Sequence, residues 1–340
     1  MIRVGVIGVG YWGPNIIRNL VANMSTQVPI CADLKSERLE FIQSLYPFIQ
    51  TTQDYREIVR NPDIDAIAIC TPVFTHYQLA KEALQAGKHV LIEKPMTSNT
   101  REAEELINLA EKKQLTILVD HTFLFTGAVQ KIKELVDSGE IGDIYYFDSV
   151  RINLGLFQHD INVVWDLAPH DISILNYIID QEAEGIVATG ADHVGNGMED
   201  VAYVTVYYPG NSIAHIHVNW LSPVKIRQTL ISGSRKMIVW DDNLPSEKVK
   251  VYDKGIEVIK TTDQIYNTLI QYRMGDMYCP RIPQKEALSE EIRHFAECIM
   301  EGRQPISDGL FGWKVVRFLE AAEESMKNKG REVPLKLTQS

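Results

Sequence analysis

Short, unbroken apolar runs alternate with helix-length amphipathic stretches over the first 120 residues. The runs fall at 4–7, 28–32, 66–70, 89–92 and 115–119. They do not alternate apolar with polar, which is the pattern of strands covered on both faces of a parallel sheet. Between them, 15–23, 76–86 and 100–113 are long enough for helices. In the last of these, Ala103, Leu106, Ile107 and Ala110 share one face. Gly87 stands where a helix would end in a left-handed residue. Strand–helix alternation of this kind predicts a doubly wound α/β domain.

From about residue 123 the pattern changes. A helix at 128–137 leads to β-rich runs at 144–152, 186–193, 200–208, 213–220, 228–231, 236–240 and 248–252, with 241–246 as a surface loop. Pro209-Gly210-Asn211-Ser212 is a hairpin signal. The spacing predicts a large, mostly antiparallel sheet with one open face. An amphipathic helix at 286–300, a break at 304–309 and a helix at 313–326 close the chain. The expected architecture is α/β: an N-terminal doubly wound (Rossmann) domain, 1–122, followed by an α+β domain, 123–340.

Composition narrows the classes. At 340 residues and 45% hydrophobic, the chain has material for about two cores. A net charge of −11 argues against nucleic acid or an anionic membrane as partner. Cys31, Cys70, Cys279 and Cys298 have no metal-ligand or disulfide spacing. The opening MIRVGVIGVG reads as a strand rather than a secretory signal, and no apolar run reaches membrane-spanning length. A cytoplasmic protein without a structural metal is the expectation. His215 and His217, two apart on one strand face, with His193 as a third candidate, are the one arrangement that would suggest metal, and no carboxylate or thiol pattern supports them.

The chemistry begins with Gly8-Val9-Gly10-Tyr11-Trp12-Gly13. Gly8 permits the turn, Gly10 lets backbone approach a pyrophosphate, and Gly13 brings the helix close to the sheet. A strand precedes the motif, a helix opened by Pro14 follows, and Asp33 lies twenty residues beyond Gly13. A carboxylate there accepts from a ribose diol and repels a 2′-phosphate, so NAD is favoured over NADP. Lys35 and Arg38 sit close enough to soften that preference. Later strands end in Cys70-Thr71-Pro72, with His76 shortly after, and in Glu93-Lys94-Pro95. A lysine in such a loop can hold a hydroxyl and stabilise a developing alkoxide. Further on, Asn162, Asp166 and His170 recur every four residues, which puts them on one face if a helix runs through them; Pro169 argues for a kink. Histidine, with an ordinary pKa of about 6.5, is a natural proton acceptor at neutral pH, and a carboxylate partner orients it.

The run GVIGVGYWGPN, the CTPxxxH segment and the EKP triplet together resemble the glucose–fructose oxidoreductase/inositol dehydrogenase/MocA family. The likeness holds through about residue 122 and resumes in the second half. It departs after the strand at 115–119, where many members carry an Asn-Arg-Arg-like run and this chain has Asp120-His121-Thr122-Phe123. The resemblance implies an NAD(P)-dependent dehydrogenase acting on CH–OH groups. Lys94, Asp166 and His170 are its implied catalytic set. Gly8, Gly10, Tyr11, Trp12, Gly13, Asp33, Thr71, Pro72, His76, Glu93 and Lys94 are its implied cofactor residues. His121, Arg151, Asn153, Asn162 and Trp165 are candidates for substrate. The resemblance also implies a last helix, about 310–327, that returns to the Rossmann domain, and a homodimer or homotetramer.

Within the family, GYWGPN and the stretches at 275–277 and 307–309 look most like members acting on nucleotide sugars. A UDP-N-acetylhexosamine or its uronate, oxidised at C3, is the expected substrate. Inositol, a free aldose, or a 3-ketosugar reduced in the opposite sense remain open. So do a non-catalytic NAD- or sugar-sensing module and hydrolysis through transient oxidation by tightly held NAD.

Overall fold

The computed structural model describes residues 1–155, 161–259 and 269–335. Along the chain run β1 (Ile2–Ile7), α1 (Gly13–Ala22), β2 (Thr26–Gln27), β3 (Ile30–Ala32), α2 (Ser36–Leu45), β4 (Gln50–Thr52), α3 (Tyr55–Arg60), β5 (Ala66–Ile69), α4 (Val73–Gln85), β6 (His89–Glu93), α5 (Thr100–Lys113) and β7 (Ile117–Asp120). A short 3-10 turn, Thr122–Phe125, precedes α6 (Gly127–Asp137), β8 (Ile144–Leu154) and α7 (Val163–Ile178). Strands follow: β9 (Gly185–Ala191), β10 (Val201–Tyr207), β11 (Ile213–Asn219), β12 (Leu221–Gly233), β13 (Met237–Asp241), β14 (Val249–Ile259) and β15 (Leu269–Tyr278). Helices α8 (Ala287–Glu301) and α9 (Gly309–Lys327) and the short β16 (Val333–Pro334) end the described chain.

The chain divides into two units, residues 1–126 with 285–320, and 127–284 with 321–340. The break after 126 lies four residues beyond the expected boundary. The returning segment starts at 285, so it includes α8 as well as most of the helix expected to return.

In the first unit every strand pairing is parallel, in the order β4-β3-β1-β5-β6-β7, with β2 beside β1. Val4, Val6, Ala66, Ala68, Leu91 and Leu118 are buried in one cluster with Ile16, Ile17 and Leu20 of α1 and Ile292 and Phe295 of α8. Continuous apolar strands are thus explained by helices on both sheet faces. Gly87 closes α4 in the left-handed region, φ 79°, with its N–H on the Leu84 carbonyl. Pro14 sits in the first turn of α1.

In the second unit the sheet has nine strands, ordered β15-β14-β13-β12-β8-β11-β10-β9-β16. All its pairings are antiparallel except β11 with β8. The mostly antiparallel expectation therefore holds, with one parallel pair inside it. Alternation is clear on β10 and β11, where Ala202, Val204, Val206, Ala214, Ile216 and Val218 are buried. The expected kink at Pro169 does not end α7. Asn162 caps the helix through Trp165 N–H at 3.2 Å, and the flanking Ala168, Asp171 and Ile172 are buried, so packing outweighs the hydrogen bond that proline removes.

Candidate functional site

The dinucleotide fingerprint is built as a dinucleotide needs it. Gly8 has φ 93°, and an added Cβ would lie 2.6 Å from the Cys70 carbonyl oxygen. At Gly13 the same atom would lie 2.2 Å from the Gly8 carbonyl oxygen, so only glycine lets α1 begin this close to β1. Around Gly10 the nearest atom is the flexible end of Arg38, 3.3 Å from an added Cβ, and no backbone crowds the approach. Asp33 follows β3. Its carboxylate accepts from Val9 N–H and Lys35 N–H, both at 2.9 Å, and Arg38 Nη1 stands 3.4 Å from Oδ2. Asp33 is therefore tied to the glycine loop itself. The residues present fit a dinucleotide.

Tyr11 is exposed, whereas Trp12 turns inward and gives its indole N–H to Asp120 Oδ2 at 3.1 Å. Beyond β5, Thr71 and Thr75 share a hydroxyl contact of 2.6 Å, and Pro72 caps α4. His76 is buried, with Nε2 2.7 Å from the Thr71 carbonyl and Nδ1 2.9 Å from the Pro95 carbonyl. It braces the loop after β5 against the loop after β6. Burial lowers its pKa, while the backbone carbonyls around the ring act in the opposite sense. Lys94 is half-buried, its backbone N–H donates to Glu93 Oε2 at 3.2 Å, and the Lys94–Pro95 peptide is cis.

Glu93, next to Lys94, belongs to a group of acids with Asp120 and Glu291, of which the sequence singled out only Glu93 as a site residue. Asp120 and Glu291 are buried, and Glu93 Oε1 is sealed from water. Burial, then the neighbouring Asp120, pushes the Glu93 and Glu291 carboxyls well above their ordinary range. Glu291 was legible in one respect: it interrupts the apolar face of α8 between Leu288 and Phe295. His121 is also buried, edge-on to Phe311 at 5.6 Å, and burial lowers its pKa to about 4. It is neutral at physiological pH and has no exposed edge to offer a substrate.

In the second unit, α7 is buried at nearly every position up to Leu175; the exceptions are Asp166, Leu167 and His170, which form one face. Asp166 Oδ2 accepts the indole N–H of the fully buried Trp220 at 3.0 Å. One residue past His170, Asp171 is bound into β8, taking Ser149 Oγ and Arg151 Nε at 2.6 Å each and Arg151 Nη2 at 3.3 Å. Several substrate candidates are engaged structurally. Arg151 has a 4% exposed side chain with Asp171 as partner, Asn162 caps α7 and donates to Glu199 at 2.9 Å, and Trp165 donates to Glu323 at 2.8 Å. Asn153 is half-buried on β8.

His215 and His217 flank Tyr203, stacking at centroid distances of 6.0 and 4.4 Å, while His193 pairs with Asp200 at 2.7 Å. Among the described residues no cluster of His, Cys, Asp or Glu is arranged to hold a metal ion, and no helix is long and apolar enough to cross a membrane.

Comparison with known proteins agrees with this geometry. The oxidoreductase family described as having an NAD-binding Rossmann fold matches residues 2–121, and the GFO/IDH/MocA C-terminal domain matches residues 129–239. The chain belongs to the GFO/IDH/MocA oxidoreductase family. It is 26% identical over 337 residues to the UDP-N-acetylglucosamine 3-dehydrogenase of Acidithiobacillus ferrooxidans, covering 92% of this chain and 94% of that one. It is 24% identical over 344 residues to the myo-inositol 2-dehydrogenase of Thermotoga maritima, covering 96% and 97%. The solved structure of the Acidithiobacillus ferrooxidans UDP-N-acetylglucosamine 3-dehydrogenase superposes with a TM-score of 0.81 at 23% identity, covering 96% and 98%. The protein is thus an oxidoreductase with an NAD-binding Rossmann domain.

Proposed function

We propose that this protein is an NAD-dependent dehydrogenase that oxidises a ring CH–OH of a nucleotide sugar, a UDP-N-acetylhexosamine or its uronate, at C3. The observation that carries the catalytic assignment is the pattern on α7, where an otherwise buried stretch leaves Asp166, Leu167 and His170 partly open. An acid and a base four residues apart on such a face suit proton transfer. His170 takes the hydroxyl proton. Asp166, whose Oδ2 accepts from Trp220, serves as the partner of that imidazole or as a contact to the substrate hydroxyl. Lys94 holds the hydroxyl oxygen and favours its developing negative charge. Gly8, Gly10, Gly13 and Asp33 hold the dinucleotide, which when bound supplies the hydride acceptor.

The similarity to a UDP-N-acetylglucosamine 3-dehydrogenase over almost the whole chain supports the nucleotide sugar. The similarity to a myo-inositol 2-dehydrogenase, at nearly the same identity and coverage, keeps inositol oxidation as the second reading. Incubation with NAD and a panel of UDP-sugars, aldoses and inositols, followed at the NADH absorbance band, separates them. NADH production with a UDP-N-acetylhexosamine is the expected result. Production with inositols alone selects the second reading.

A further inference from the structure

The Asp120-His121-Thr122-Phe123 segment, where this chain leaves the pattern of the family it resembles, has no role in the chemistry above. We infer that Asp120 is a positioning residue for the dinucleotide loop, holding it in its binding conformation through the indole of Trp12. The geometry is specific. Trp12 lies between Gly10 and Gly13, in the loop whose amides face a pyrophosphate, and it is the residue before α1. Its side chain makes no capping bond to the helix. Instead its N–H reaches Asp120 Oδ2 at 3.1 Å, 108 residues away in sequence.

Asp120 ends β7, and in the sheet β5 and β6 stand between β1 and β7. The contact therefore ties the loop that follows β1 to the end of β7, strands that are not neighbours in the sheet. Asp120 is itself fixed: it is 2% exposed, and Oδ1 takes the Thr122 hydroxyl. Glu93 and Glu291 lie against it, and burial disfavours their charged forms. Asp120 is the member of this group that receives the indole N–H. Because Asp120 is buried beneath the loop, it acts through Trp12 and touches no ligand. A loop held in place before binding loses less freedom when the dinucleotide arrives, and the gain appears as affinity.

The test is calorimetric titration of NAD into the full-length protein and its variants, with thermal melts to confirm folding. Trp12→Phe removes the donor and keeps the ring; Asp120→Ala removes the acceptor. Each is expected to weaken NAD binding about tenfold. The double variant is expected to bind no more weakly than either single one, since both remove the same contact. Asp120→Asn keeps a carbonyl oxygen for the indole and is expected to recover affinity to within about threefold of wild type. Hydrogen exchange at the amides of residues 10–13 in the unliganded protein is expected to quicken in Trp12→Phe. Wild-type affinity in Trp12→Phe, or additive losses of about a hundredfold in the double variant, overturns the inference. If Asp120→Ala fails to fold, Trp12→Phe against Asp120→Asn carries the test, and equal losses in the two overturn it.

Discussion

Asp171, the residue after His170, receives Arg151 Nε at 2.6 Å, with side chains 2% and 4% exposed. Ser149 Oγ completes the carboxylate's shell at 2.6 Å, so α7 is fastened to β8 beside the proposed base. Across β12, Arg227 is the register partner of Arg151, and burial followed by the Arg151 charge lowers its pKa. Two guanidiniums therefore share the neighbourhood of Asp171, with Asp242 3.8 Å from Arg227. Removing Asp171 strands buried positive charge. Asp171→Ala is expected to cost about 3–5 kcal/mol in urea unfolding, while the paired replacement Arg151→Met with Asp171→Leu costs much less. A loss in Asp171→Ala below about 1 kcal/mol would show that this contact does not anchor the helix.

The buried acids make stability depend on pH in a definite sense. Glu291 has its folded-state pKa raised, by burial first and Asp120 second. The folded chain thus keeps a proton that the unfolded chain gives up above about pH 4.3, and stability falls as pH rises from there toward the folded value. Glu291→Gln escapes that loss. Its urea midpoint relative to wild type is expected to improve between pH 4 and pH 7.5, about the span over which the unfolded glutamate has ionised. A constant difference across that range would mean that Glu291 is not held protonated.

His170→Ala removes the proposed base. Turnover is expected to fall about 100- to 10,000-fold, with NAD binding by titration unchanged. Loss of NAD binding in this variant would remove His170 from the role assigned to it.

Asp33→Ala is expected to relax the preference for NAD over NADP. The carboxylate that would repel a 2′-phosphate is gone, and Arg38, which stands 3.4 Å from it in the wild type, is left to attract one. Dissociation constants for both cofactors measure this directly. An unchanged ratio would place the ribose away from Asp33.

Much of this architecture was legible because its signals are local. The glycine motif, Asp33 and the apolar runs of β1, β3, β5, β6 and β7 announce a parallel sheet and its ligand-facing loops. Elements without an apolar signature escaped. β4 reads Gln50-Thr51-Thr52, α3 has six residues, and β15 carries Arg273, Gly275 and Asp276 among its apolar positions. β12 extends beyond the run 228–231 through Ser222, Pro223 and Lys225, with a register shift between Leu221 and Ile226. Side-chain partnerships were least legible. The sequence offered Arg151 and Trp12 as ligand contacts, but pairing them with Asp171 and Asp120 depends on helix phase and strand order. Those are properties of the assembled unit. Glu291 on the apolar side of α8 was the one hint that acids were being buried.

Hydride transfer from the carbon of a sugar CH–OH to NAD, with the hydroxyl proton going to the base, is tested most directly by NADH absorbance with a UDP-N-acetylhexosamine, coupled to mass spectrometry of the sugar. The account predicts NADH formation together with a sugar two mass units lighter, about the mass of the two hydrogens lost when CH–OH becomes C=O. No NADH and unchanged sugars across the whole UDP-sugar, aldose and inositol panel, from protein that binds NAD, would contradict it.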